Sequence, residues 1–278
     1  MYNMIEWPHM RPYATIEKRV GETPLQATER LRASLSISSD TALAYAGRLD
    51  PMASGTLLVL IGNECKHQEK YHALDKAYEF SVLFGVSSDS GDILGLISPC
   101  QCPHITISAI RGASSKLVGD IEFPYPHFSS KTVKGKPLHT WTLEHRLNEI
   151  TIPIKKSRIY SLTCIRLEEI TSSAVYQSVL ERIELIPKVT ETSKDLGRDF
   201  RRHEVRKTWQ TWYDQHPDFV YQLATFTCTA SSGTYMRTLA GEIAKLLNTC
   251  GLAYSIHRTR IGTYRSFAGL FGLWTKRF

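Results

Sequence analysis

The run Thr56-Leu-Leu-Val-Leu-Ile61, closed by Gly62, constrains the fold of this chain more than any other stretch. A segment that is apolar at almost every position has no face to show to water, so as a strand it must be covered on both sides. That requires a sheet with a layer on each face, which 278 residues can supply as one large domain or two small ones. Just ahead of the run, Asp50-Pro51 and Ser54-Gly55 are turn pairs, so Asp50 stands on a loop held by a rigid element. Reacting groups are often carried on such loops. Taken by itself, however, an Asp-Pro pair reads first as the opening of a turn.

Apolar residues make up 42% of the chain and charged ones 22%, the balance of an ordinary globular protein. The sequence has no apolar span of membrane length and no charged-then-apolar leader, so the expectation is a cytoplasmic protein with no membrane partner. Cysteines at 65, 100, 102, 164, 228 and 250 show no paired CxxC spacing. They are expected to be free thiols, mostly in the core, with no metal site. A net charge of +7 favours polyanionic partners, nucleic acid first among them.

Residues 1–17 have no clear period and read as an irregular arm. Thr23-Pro-Leu-Gln26 carries a capping box with proline at the first helical position, and Leu25, Thr28, Leu31 and Leu35 then mark the inner face of a helix. Tyr78, Phe80, Val82, Phe84 and Val86 alternate with smaller or polar residues and predict a strand with one buried face. Asp89 and Asp92 follow in a turn-rich loop. From Pro124 to Trp141 there are three lysines, Lys131, Lys134 and Lys136, interleaved with aromatics and no acidic residue. That pattern suits a nucleic-acid-gripping loop and equally a solvated one. A strand is expected over 158–167, a helix over 174–186, and a charged segment over 188–217 whose later part, 200–213, forms an amphipathic helix with Trp209 and Trp212. By default that segment is a solvated insertion. A strand over 219–229 leads into a helix with Met236, Leu239, Ala240 and Ile243 on one face, stopped near Gly251. Arg237, in the first turn of that helix, reads in isolation as an exposed cation.

Several separated strings agree with one family. Gly47-Arg-Leu-Asp-Pro-Met-Ala-Ser-Gly55, Lys76-Ala-Tyr78, Pro126 to Leu138, Ser232-Gly-Thr-Tyr-Met-Arg237 and Arg258-Thr-Arg-Ile-Gly262 occur in family order, and the chain resembles the TruB family of tRNA pseudouridine synthases. The resemblance implies an α+β pseudouridine synthase fold, a mixed, mainly antiparallel sheet flanked by helices and loops. It implies one catalytic domain over 1–278, with a thumb at about 122–147 and a basic helical insertion at about 188–217. Only Arg265 to Phe278 follow the last motif, so no C-terminal PUA domain is expected.

By the same resemblance Asp50 is the nucleophile, Tyr78 the face on which the target base stacks, and Arg237 the salt-bridge partner of Asp50. Tyr45, Arg48, Lys66, Asp92, Phe128, Lys131, Lys134, Lys136 and Tyr235 are the expected substrate-binding residues. The implied substrate is the T-arm of tRNA, bound by a monomer without metal or organic cofactor. The chain departs from the family where Lys18-Arg-Val-Gly-Glu-Thr-Pro24 replaces Lys-Pro-x-Gly-x-Thr-Ser, where Tyr45 replaces a histidine, and where Arg48 replaces a small or polar residue. Arginine before Leu-Asp is similar to the ribosomal-RNA branches of the superfamily. Two other readings stay open: a non-catalytic tRNA-binding or folding factor, and a synthase acting on another RNA.

Overall fold

A computed structural model describes residues 11–186, 201–267 and 271–278. The chain opens with β1 (Tyr13–Lys18), α1 (Pro24–Ser34), β2 (Leu43–Ala46), β3 (Ala53–Ile61), α2 (Gln68–His72) and β4 (Asp75–Phe84). It continues with β5 (Val86–Ser88), β6 (Ile97–Pro99), α3 (Ile107–Ser115), β7 (Gly119–Pro124), β8 (Thr132–Val133), β9 (Lys136–Pro137) and α4 (Leu138–Leu143). The second half holds β10 (Ile154–Thr171), α5 (Ser172–Leu185), α6 (Arg202–Gln215), β11 (Val220–Ala230), α7 (Met236–Leu246), β12 (Gly251–Phe267) and β13 (Phe271–Arg277).

One nine-stranded sheet organises these elements in the order β1-β3-β12-β4-β11-β10-β7, with β2 on β3 and β13 on β12. Strands β3 and β12 pair in parallel through Ile256 and Ala53, and the other pairings of this sheet are antiparallel. The architecture is therefore a mixed, mainly antiparallel α+β sheet flanked by helices, and the apolar run has both faces covered from Leu57 to Ile61. On one side Phe80 stacks on Phe226 at 5.2 Å and the sheet meets α3, α5, α6 and α7. On the other, Leu58, Leu60, Ala46 and Ile261 form a smaller core with Tyr13, Tyr71 and Phe278.

Several expectations need correcting. Residues 13–18 are no arm but the edge strand β1, in register with β3 from Tyr13–Leu60 to Lys18–Gly55. The capping box of α1 is present in both directions, but the helix turns Ala27, Thr28 and Leu31 inward and leaves Leu25 and Leu35 62% and 51% exposed. Strand β4 is buried at every position from Phe80 to Phe84, because β12 and β11 flank it and layers cover both faces. Helix α7 ends at Leu246, with Asn248 in the left-handed region at φ 56°. Gly251 instead opens β12, where a side chain would come within 2.8 Å of Ala244 Cβ, so it serves helix-on-sheet packing.

Two corrections concern the second half. Residues 188–200 of the expected insertion lie outside the described residues, but α6 is a core helix rather than a solvated one, with Val205, Trp209 and Trp212 buried. Cys100 and Cys250 are joined in a disulfide, and only Cys65, Cys102, Cys164 and Cys228 are free. The reason lies in the backbone. Gly85 donates to the Cys250 carbonyl and accepts from the Cys100 amide, both at 2.9 Å, which brings together two cysteines 150 residues apart. Among the described residues no helix is long and apolar enough to cross a membrane.

Candidate active site

The loop carrying Asp50 is short because β2 and β3 pair directly, and its shape depends on glycine and on buried cations. Gly47 sits at φ 80°, a left-handed conformation that disfavours side chains. The Asp50 carbonyl accepts from Ala53 at 3.0 Å, closing the turn into β3. From beneath, the fully buried Lys18 donates to the Ala53 and Arg19 carbonyls at 2.5 and 2.9 Å. Arg258, also buried, donates to the carbonyls of Thr56 at 2.8 Å and Gly47 at 3.1 Å. Lys76 donates to the His72 carbonyl at 3.0 Å and also to that of Leu74. Burial holds the Lys18 and Lys76 ammonium groups down to about 8. These cations fix backbone that a neutral loop would leave free.

Asp50 receives Arg237 from the first turn of α7, which lies 187 positions away in sequence. Arg237 is 5% exposed, and its guanidinium distributes its donors over three segments. Nε meets Asp50 Oδ2 at 2.8 Å, Nη1 meets the Ser90 carbonyl at 2.7 Å, and Nη2 meets the Phe128 carbonyl at 3.0 Å. Burial works against the charge of Arg237, but Asp50 and Asp92 outweigh it and leave the group more basic than usual. The Asp50 side chain keeps 40% of its surface accessible while its partner is enclosed. A carboxylate anchored by a buried guanidinium is held in one orientation, as a nucleophile must be.

Asp92 completes the charge set. Its Oδ2 lies 3.6 Å from Arg237 Nε, and its Oδ1 accepts from the Ser90 hydroxyl at 2.7 Å and the Leu94 amide at 2.9 Å. Burial pushes its carboxyl up, against the opposing pull of Arg237 and the Ser90 hydroxyl. Gly91, at φ 76°, allows this turn to approach Arg237, since a side chain there would lie 3.3 Å from Arg237 Cβ. Tyr78, half-buried on β4, is in register with Arg258 on β12 and Cys228 on β11. Burial raises its phenol while the neighbouring Arg258 pulls the other way. Tyr235 caps α7 and packs edge-on to Tyr125 at 5.8 Å, and burial pushes its phenol up to about 12.

The remaining expected residues scatter around this centre. Arg48 donates to the Tyr45 hydroxyl at 3.2 Å at the accessible side of the loop. Lys66 is exposed on a 3-10 turn over Gly62–His67 and makes no hydrogen bond to the Asp50 centre among the described residues. Phe128 joins the centre through its backbone carbonyl. Lys131 lies 5.4 Å above the Tyr125 ring, Lys134 donates to the Glu149 carbonyl at 3.0 Å, and Lys136 pairs with Glu144 at 2.7 Å. Lys18, Lys76, Ser90 and Arg258 belong to the site without being among the expected site residues, although the three cations stand within the strings quoted above. Their signal, for the three cations, is a basic residue next to a strand that must be buried. No group of three metal-ligating side chains is present among the described residues.

A mixed sheet with a salt-bridged aspartate on the loop entering one central strand and a tyrosine on another defines the class: this is the pseudouridine synthase fold. It superposes on a chain of a Cbf5-Nop10-Gar1 complex with a TM-score of 0.53 at 13% identity, covering 90% of this chain and 48% of that one. The particular family follows from the sequence comparison. Residues 36–179 match the TruB family pseudouridylate synthase N-terminal domain, and the chain belongs to that family. It is 28% identical over 249 residues to tRNA pseudouridine synthase B of Caldicellulosiruptor saccharolyticus, covering 90% of this chain and 67% of that protein. It is 25% identical over 260 residues to tRNA pseudouridine synthase 4 of Saccharomyces cerevisiae, covering 85% and 64% respectively. The chain thus spans about two thirds of the length of these curated relatives.

Proposed function

We propose that the chain isomerises uridine to pseudouridine in the T-loop of tRNA, acting as a monomeric cytoplasmic enzyme with one catalytic domain and a thumb at about 122–147. One observation carries the reading: Asp50, 40% accessible, is paired at 2.8 Å with an enclosed Arg237. Relatives named as tRNA pseudouridine synthases support the choice of tRNA.

A stacked uridine cannot react in place, so it is extruded at a cost of a few kcal/mol. Phosphate contacts from Lys131, Lys134 and Lys136 offset that cost, and Tyr78 replaces lost base stacking worth about 1–3 kcal/mol. Tyr45, Arg48, Lys66 and Tyr235 line the approach. Asp50, oriented by Arg237, promotes cleavage of the bond between ring nitrogen and sugar. The uracil then turns, carbon-5 joins the sugar, and the proton displaced from carbon-5 leaves to solvent while the freed ring nitrogen takes one up. Atoms and charge balance without any external reagent.

The test is to incubate the protein with unmodified tRNA transcript and with its isolated T-arm hairpin, then map pseudouridine. One product in the T-loop of both RNAs is expected. Product elsewhere would overturn the substrate assignment, and tight binding without product would favour a folding factor.

A further inference from the structure

Two of the three segments that receive Arg237 are held in turn by a residue outside every family motif. Arg201, immediately before α6, donates to Asp89 through both terminal nitrogens, at 2.6 and 3.0 Å. Its guanidinium carbon stands 4.4 Å above the ring of Phe128. Asp89 precedes Ser90, whose carbonyl takes Arg237 Nη1, and Phe128 itself supplies the carbonyl for Nη2. The Asp89 carboxylate also accepts from the Leu96 amide at 2.9 Å and so closes the turn that contains Asp92. Helix α6 grips the same turn a second time, because buried Trp209 donates through Nε1 to the Ile93 carbonyl at 2.9 Å.

We propose that Arg201 is a positioning residue for the Asp50–Arg237 centre, tying helix α6 at once to the acidic turn and to the thumb. The side-chain chemistry is suited to this role, since a planar guanidinium can bind a carboxylate with two parallel bonds while stacking on an aromatic ring, and an ammonium group can do neither. Only 18% of the side chain is accessible and Asp89 occupies both terminal nitrogens, so a phosphate would have to displace a good partner to reach it. The helical segment between β10 and β11 thereby acts as a brace on the acceptors of Arg237. This inference rests on the proposed isomerase activity for its kinetic test, but its structural test stands apart.

The experiment compares wild type with Arg201→Ala, Arg201→Lys, Asp89→Asn and the double variant Arg201→Ala/Asp89→Asn. Single-turnover rate at saturating protein, transcript Kd and its salt dependence, and amide hydrogen exchange are measured for each. Arg201→Ala is expected to slow turnover about 10- to 100-fold, the scale of a misplaced reacting group. Transcript Kd and the salt slope stay at wild-type values, whereas loss of a phosphate contact would lower the slope by about one. Arg201→Lys behaves as the alanine variant, and the double variant is no slower than Arg201→Ala, because the Asp89 contact is already lost there. Exchange quickens in residues 89–96 and around Phe128 but not in α7 or β11, which separates positioning from general unfolding. Weaker binding with unchanged turnover at saturation would overturn the proposal, as would additive losses or unchanged exchange. If wild type makes no pseudouridine, the proposed activity fails, and the exchange measurement still decides the role of Arg201.

Discussion

Replacing Arg237 by methionine separates what this residue does for the fold from what it does for chemistry. The Asp50 carboxylate would lose a partner but is 40% exposed, so water replaces most of that interaction. Asp92 is different: its side chain is 7% exposed and Arg237 is its counter-charge. Leaving a buried carboxylate uncompensated costs about 3–5 kcal/mol, to which the carbonyls of Ser90 and Phe128, stripped of their donor, contribute part.

The loss depends on pH. Burial already raises the Asp92 carboxyl above 3.8, and removing the opposing Arg237 raises it further. Above 3.8 the folded variant then holds a proton that the unfolded chain has released, so its stability falls as pH rises through that window. In urea titrations the deficit of Arg237→Met is therefore smallest on the acidic side and grows as pH rises above 3.8. Adding Asp92→Asn removes the stranded charge while keeping an oxygen for Ser90 and the Leu94 amide. It should restore at least about 2 kcal/mol and flatten the pH dependence. Single-turnover activity stays down about 100-fold or more in both variants, because Asp50 has lost its orienting partner. A double variant as unstable as the single one, with a deficit independent of pH, would refute the electrostatic argument. Wild-type turnover in Arg237→Met would refute the catalytic one.

Three further outcomes are expected. Tyr78→Leu removes the flat face offered to the extruded base and lowers kcat/KM by about 1–3 kcal/mol, with a smaller change in transcript Kd. Lys18, fully buried and held to about 8 against an ordinary 10.5, is neutral when folded and charged when unfolded between those values, so stability rises with pH there. Urea unfolding should accordingly show wild type gaining about 3 kcal/mol over Lys18→Met from pH 8 to 10.5. Gly55→Ala places a methyl group 2.3 Å from the Arg258 carbonyl oxygen at φ 112°, and should lower stability by about 1–3 kcal/mol or more in the same assay.

What the sequence disclosed and what it hid follow a physical line. Local determinants were legible: the Thr23–Gln26 capping box forms both of its bonds, and the apolar run from Thr56 is a covered strand. Features set by distant partners were not. Arg237 looks like a surface cation in its own helix, and only Asp50, Ser90, Asp92 and Phe128 make its burial tolerable. Cys100 and Cys250 meet through the backbone of Gly85, which no cysteine spacing encodes. Trp209 and Trp212 gave the right helix, yet its burial depends on the turn carrying Ile93 and on Tyr221, from other parts of the chain. The burial of Lys18 and Arg258 was hidden because basic residues are ordinarily exposed, whereas here they hold the backbone of the Asp50 loop.

The central claim is that Asp50 carries out the chemistry and is not merely the first residue of a turn. Asp50→Asn keeps the backbone carbonyl that closes the turn and removes only the charge. The direct measurement is single-turnover pseudouridine formation on unmodified tRNA transcript by wild type and Asp50→Asn at equal, saturating RNA occupancy. Wild type is predicted to form product and Asp50→Asn none, with both binding the transcript. Product from Asp50→Asn at a rate comparable to wild type would contradict the claim.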